Sequence, residues 1–187
     1  MKAVILAAGE GTRMRPLTYT RPKVMLPIAN KPILEHLLNE MKQAGISDFV
    51  FVVGYHDEQV RDYFGDGKRW DVNVQYVAQR KQLGTADAVK TVESLLSGSF
   101  LLVNGDVIVS HSDILALIYK GENTLGVIEV KDPSGLGVVE AKEGRVVRIY
   151  EKMEKPPTNL ANAGVYMFTP DIFDATAKTA KSPRGEY

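Results

Sequence analysis

Apolar and polar positions along the chain alternate between two periods, and the switch points mark the elements. Lys2 to Ala8 is a compact apolar run closed by Gly9, the pattern of a parallel strand buried on both faces. From Pro32, the residues Ile33, Leu34, Leu37, Leu38, Met41 and Ala44 recur at three and four, and Gly45 follows, which predicts an amphipathic helix. Asp48 to Gly54 reads as a second buried strand, Glu58 to Phe64 as a short helix before the Gly65-Asp-Gly67 turn, and Val72 to Val77 as a third strand. Thr85 is placed to cap a helix whose inner face is Ala86, Val89, Val92, Leu95 and Leu96, and Phe100 to Val103 is strand again. A helix over Ser110 to Tyr119 follows.

The texture then changes. Thr124–Val130, Leu136–Ala141, Arg145–Tyr150 and Ala163–Phe168 all read as strands, and Asp171 to Thr179 begins another helix. Strands alternating with helices of this length predict an α/β fold with a doubly wound, mostly parallel, Rossmann-like sheet, and the later strands predict an antiparallel portion. The chain of 187 residues suits a single domain. Ser182-Pro-Arg-Gly-Glu-Tyr187 brings no capping element, so the expectation is one domain cut short at its C-terminal end.

Composition narrows the function classes. Lysine plus arginine and aspartate plus glutamate each number 23, so no basic excess argues for nucleic acid or an anionic membrane. There is no cysteine, which removes disulfides, thiolate zinc sites and thiol nucleophiles and fits a reducing cytoplasm. The first apolar run is far short of the roughly 20 residues a spanning helix needs. The three histidines share no metal-ligand spacing, and the single tryptophan and dispersed tyrosines form no stacking series.

The segment Gly9-Glu-Gly-Thr-Arg-Met-Arg-Pro-Leu-Thr-Tyr-Thr-Arg-Pro-Lys23 lies where a doubly wound sheet binds phosphates. Gly9 and Gly11 let backbone N–H groups approach phosphate oxygens. Between Gly11 and Leu34 the only charged residues are Arg13, Arg15, Arg21, Lys23 and Lys31, which together read as an anion clamp. A dinucleotide fingerprint is incomplete because the third glycine is missing, and no Walker Gly-Lys-Ser/Thr follows. On position alone, Asp106 after the Phe100 strand suits a turn or a cap as well as a metal.

Leu6-Ala-Ala-Gly-Glu-Gly-Thr-Arg-Met-Arg-Pro-Leu-Thr-Tyr-Thr-Arg-Pro-Lys23 resembles the signature of the sugar-1-phosphate nucleotidyltransferases. Pro27–Ile33, Gln79 with Leu83-Gly-Thr-Ala86, Asn104-Gly-Asp106 and Ala161-Asn-Ala-Gly-Val-Tyr166 are similar to that family in the same order. The resemblance implies joining of a nucleoside triphosphate to a sugar 1-phosphate, giving a nucleotide-sugar and pyrophosphate. It assigns catalysis to Arg13, Lys23 and Asp106, with Asp106 also a Mg2+ ligand and a second ligand beyond residue 187. Nucleotide binding falls to Leu6, Ala7, Ala8, Gly9, Gly11, Thr12, Gln79, Gly84 and Thr85. Sugar-phosphate binding falls to Gly137, Glu151, Lys152 and Asn162, although Met153 stands where the family usually has proline. A glutamine five residues before Leu-Gly-Thr resembles the branches using UTP or dTTP. The sugar is left between glucose and N-acetylglucosamine 1-phosphate, and association into a homo-oligomer is implied. A regulatory subunit that binds nucleotide-sugar without turnover is the alternative.

Overall fold

The computed structural model describes residues 1–121, 123–181 and 185. Strand β1 (Lys2–Ala7) sits between β4 (Asp48–Val53) and β6 (Phe100–Asn104), parallel to both, with Ile5 level with Phe51 on one side and Val103 on the other. Strand β5 (Asn73–Ala78) adds in parallel beyond β4. Three central strands flanked by others must be apolar on both faces, and the unbroken runs in β1, β4 and β6 meet that demand.

Alternate residues of those strands feed two cores. Ala3, Ile5, Phe49, Phe51, Leu101 and Val103 face α1 (Ile33–Gln43), α2 (Asp57–Phe64) and α4 (His111–Lys120), whose Leu38, Met41, Phe64 and Ile114 are 0–2% exposed. Val4, Val50, Val52, Phe100 and Leu102 face the other layer, formed by α3 (Thr85–Lys90) and α5 (Ile172–Lys178) through Ala88, Val89 and Phe173. Phe51 anchors the first core, with edge-on contacts to Phe64 at 5.4 Å and Tyr76 at 5.8 Å between ring centres.

The antiparallel portion extends the same sheet. Strand β10 (Leu160–Phe168) runs antiparallel to β6, pairs with β7 (Thr124–Glu129), and meets β8 (Gly137–Lys142) at Ala161, while β9 (Arg145–Glu151) pairs with β8. The sheet has eight strands, and a two-stranded hairpin of β2 (Pro27–Ile28) and β3 (Lys31–Pro32) stands apart from it.

Two elements differ from the sequence expectation. The helix expected from Thr85 to Leu96 stops at Lys90, because the Thr91 hydroxyl donates to the Ala88 carbonyl at 2.7 Å and Val92 leaves helical dihedrals; a 3-10 turn, Glu93–Leu95, continues the path. Thr85 does not cap it either: Gly84 holds that position at φ 106°, and Thr85 is the first helical residue. Strand β10 begins three residues earlier than expected, at Leu160, since Leu160 to Asn162 pair with β7 before the register shifts at Asn162. The termination expected at Ser182–Tyr187 lies outside the described residues except for Gly185.

Phe51→Ala is expected to cost about 3–5 kcal/mol, as for other buried aromatic truncations. Urea unfolding followed by circular dichroism would show the lowered midpoint.

Candidate active site at the carboxyl ends of the parallel strands

The parallel strands end together, and hydrogen bonds hold their exits close. Gly105 N–H donates to Leu6 O at 2.8 Å, and Tyr55 N–H to Ala8 O at 3.2 Å. The Gln82 side chain also donates to Ala8 O, at 2.9 Å. Backbones this close leave no room for side chains: a Cβ on Gly54 would lie 2.9 Å from Ala8 O, and one on Gly105 would lie 2.9 Å from Leu6 O.

From Ala8 the chain enters the loop singled out by its glycines. Gly11 turns it at φ 64° into a 3-10 turn, Thr12–Met14. The fully buried Thr18 closes the loop by donating from its hydroxyl to Gly11 O at 2.9 Å, and Tyr55 donates to Thr18 O at 3.0 Å. Among the described residues, no acceptor takes the backbone N–H groups of Gly9, Glu10, Gly11, Thr12 and Arg13. Five consecutive N–H groups without a partner among the described residues, in a loop turned by Gly11, are donors that suit anionic oxygens.

A cleft of about 690 Å³ opens beside this row. Leu6, Ala7, Ala8, Gly9, Gly11, Arg13 and Lys23 line one side, Gln79, Gly84 and Thr85 another, and Asp106 completes it, so these predicted residues converge. Thr12 does not line it, although it belongs to the same turn. Lys23 and Asp106, one-third exposed, bond each other across the floor, Nζ to Oδ2, at 2.5 Å. Asn104 and Gln82 also line the cleft and were not among the expected site residues; their position at the end of β6 and in the loop after β5 is the signal that could have found them.

The five-cation clamp expected from the sequence is corrected. Arg15 pairs with Glu10 and lies over the Tyr19 ring, and Lys31 pairs with Glu35 at 3.1 Å. Both acids flank the interval counted in sequence, and folding brings them in. Only Arg13 and Lys23 of the five line the cleft.

The residues expected at the sugar form a second group off this cleft. Glu151 lies opposite Gly137 in register, with a carboxylate oxygen 3.0 Å from where a Gly137 Cβ would stand. Asn162 donates to the Tyr166 hydroxyl at 2.8 Å and accepts from Gly164 N–H at 2.9 Å. Burial pushes the Tyr166 phenol up; the Asn162 hydrogen bond opposes that rise and the Glu151 charge adds to it. Gly164 joins the two groups, since its Cβ position lies 2.6 Å from the Asn104 amide nitrogen. Lys152 stands apart: its side chain is exposed and its backbone sits at φ 52°. A proline at 153 would push residue 152 toward extended backbone; Met153 imposes no such restriction.

Among the described residues, no group of three or more carboxylates or histidines gathers to hold a metal, and no helix is long and apolar enough to cross a membrane.

The fold agrees with comparison to known proteins. A family model described as nucleotidyl transferase matches residues 2–187, and the chain belongs to that family. The bifunctional protein GlmU of Methanococcus maripaludis strain S2 is 39% identical over 189 residues, covering all of this chain and 44% of the relative. The UTP–glucose-1-phosphate uridylyltransferase AglF of Haloferax volcanii is 37% identical over 196 residues, covering all of this chain and 79% of that protein. The crystal structure of a UDP-glucose pyrophosphorylase complexed with UDP-glucose superimposes with a TM-score of 0.85 at 28% identity, over 99% of this chain and 82% of the other. The chain thus spans a little under half the length of the GlmU relative.

Gly11→Ala is expected to lower stability by about 1–2 kcal/mol, the cost of a left-handed conformation for a residue with a Cβ. The new methyl would also press on the Lys23 stem, 3.0 Å away. Thermal unfolding would measure the combined loss as a lowered midpoint.

Proposed function

We propose that the chain carries the nucleotide side of a sugar-1-phosphate nucleotidyltransferase site, transferring a nucleotidyl group from UTP or dTTP to glucose or N-acetylglucosamine 1-phosphate. The observation that carries this reading is the run of N–H donors from Gly9 to Arg13, without an acceptor among the described residues, in a loop whose Gly9, Gly11 and Arg13 line a cleft together with Lys23. Both substrates are polyanions, so the task is to hold them in line and neutralise charge as it develops.

In this reading, the loop N–H groups and the Arg13 fork bind the β- and γ-phosphates, the part that leaves. Lys23 is a compact charge near the α-phosphorus. An oxygen of the sugar phosphate attacks that phosphorus; the new P–O bond forms as the bond to the β-phosphate oxygen breaks, and pyrophosphate departs with the electron pair. The base lies against Gln79 and Gly84, and the sugar between Gly137, Glu151 and Asn162.

A magnesium ion fits Asp106 by donor chemistry. A one-third-exposed carboxylate outside any cluster of three or more acids or histidines among the described residues suits an ion that shares its shell between one or two carboxylates, phosphate oxygens and water. When bound it would supply charge neutralisation on the phosphates. Asp106 would hold the ion, and Lys23, which pairs with Asp106 at 2.5 Å, lies close enough to share the phosphates with it. The uridylyltransferase relative supports the choice of triphosphate, and its name also supports glucose 1-phosphate.

Pyrophosphate release from a panel of triphosphates and sugar 1-phosphates with magnesium tests the reading. Lys23→Ala should lower the rate by about 10²–10³-fold, as removal of a transition-state donor does. It should leave the unfolding midpoint near that of the parent, because a pair this exposed adds little stability. A near-normal rate in Lys23→Ala would refute the assignment.

A further inference from the structure

Gln79 follows β5 and is 7% exposed, yet it lines the cleft. Its amide nitrogen faces two oxygens, the Gly84 carbonyl at 3.1 Å and an Asp87 carboxylate oxygen at 2.8 Å. Both are acceptors. The group turned toward them must therefore be the NH2, since the opposite orientation would set Oε1 against two oxygens. The two N–H bonds are thereby spent within the protein. Oε1, which accepts no hydrogen bond among the described residues, is the polar atom that Gln79 has left for a ligand.

A glutamine amide with both ends free would accept either hydrogen-bonding pattern by turning over. Here it cannot turn at low cost. The shorter of its two bonds goes to a charged group, the stronger kind. Asp87 lies in the first turn of α3, held by the backbone bonds of that helix, so the carboxylate is delivered by a rigid element rather than by a loop.

We propose that Asp87 is a positioning residue that locks the Gln79 amide with Oε1 toward the base, so that the site selects bases presenting N–H at that edge over those presenting a bare lone pair. Uracil and thymine carry N3–H and satisfy Oε1. Cytosine places a lone pair there, and two acceptors would face each other in a buried position, where an unsatisfied polar atom is costly. Asp87 touches no substrate and acts only through Gln79. The inference rests on the nucleotide reading of the cleft and adds to it the device that separates pyrimidines.

Equilibrium binding of UTP, CTP and N3-methyl-UTP to the 187-residue chain, by calorimetry, tests it. The parent should prefer UTP to both others. In Asp87→Ala the preference for UTP over CTP should fall about tenfold, the factor expected when one orienting hydrogen bond is lost. Asp87→Asn, which can still present Oδ1 as an acceptor, should keep the preference. Should Asp87→Ala not fold, Asp87→Ser, too short to reach the amide but at ease in a first helical turn, serves in its place. An acid in that turn also favours the helix dipole, but that role would change stability and leave the ratio of affinities alone. An unchanged ratio in a folded variant, an equal loss for UTP and CTP, or equal binding of UTP and N3-methyl-UTP by the parent overturns the proposal. A parent that binds none of the three overturns the nucleotide reading and this proposal with it.

Discussion

The cleft depends on how closely the backbones approach where the parallel strands end. Leu6 O and Ala8 O take hydrogen bonds from segments that follow β6, β4 and β5, so three separate stretches of chain are pinned to one strand exit. Gly54 and Gly105 are the residues that allow it, because any side chain there would meet a carbonyl oxygen. Once the exits are pinned, the chain leaving β1 has little choice of path. It turns left-handed at Gly11, and the five N–H groups from Gly9 to Arg13 find no partner among the described residues. Unpaired donors of this kind are what a triphosphate needs and what a stable loop ordinarily avoids. Thr18, buried and bonded to Gly11 O, holds the loop in that shape.

Charge is distributed with the same economy. Arg15 and Lys31 are neutralised by neighbours, which leaves Arg13 and Lys23 as the cations of the cleft. Lys23 in turn neutralises Asp106 across 83 residues of sequence, so the two groups proposed to meet phosphate and metal hold each other when neither is bound. A short pair between partly exposed groups is cheap to break, which suits residues that must exchange partners.

Much of this could be read from the residues. The buried parallel strands were legible because a strand covered on both faces must be apolar throughout, and α1 because its apolar residues keep one helical face. Gly9, Gly11 and Asp106 lie just beyond strand ends, where this architecture gathers its ligands, whereas the roles of Arg13, Lys23 and Gln79 came from the resemblance to the nucleotidyltransferases. What escaped was decided by contacts distant in sequence or by competing local bonds. The break after Lys90 follows from a threonine hydroxyl taking a carbonyl that the apolar pattern ignores. The early start of β10 was hidden by polar Asn162, where the register against β7 shifts. The neutralisation of Arg15 and Lys31, and the two acceptors that fix Gln79, depend on side-chain geometry that spacing does not carry.

The central claim is that the loop leaving β1 is a phosphate cradle built from its own backbone. Titration of the isotopically labelled chain with a non-hydrolysable UTP analogue, followed through backbone amide resonances, addresses it without requiring turnover. The amides of Gly9 to Arg13 are expected to show the largest downfield shifts as they bond to phosphate oxygens. Saturation with those five amides unmoved while others shift would contradict it.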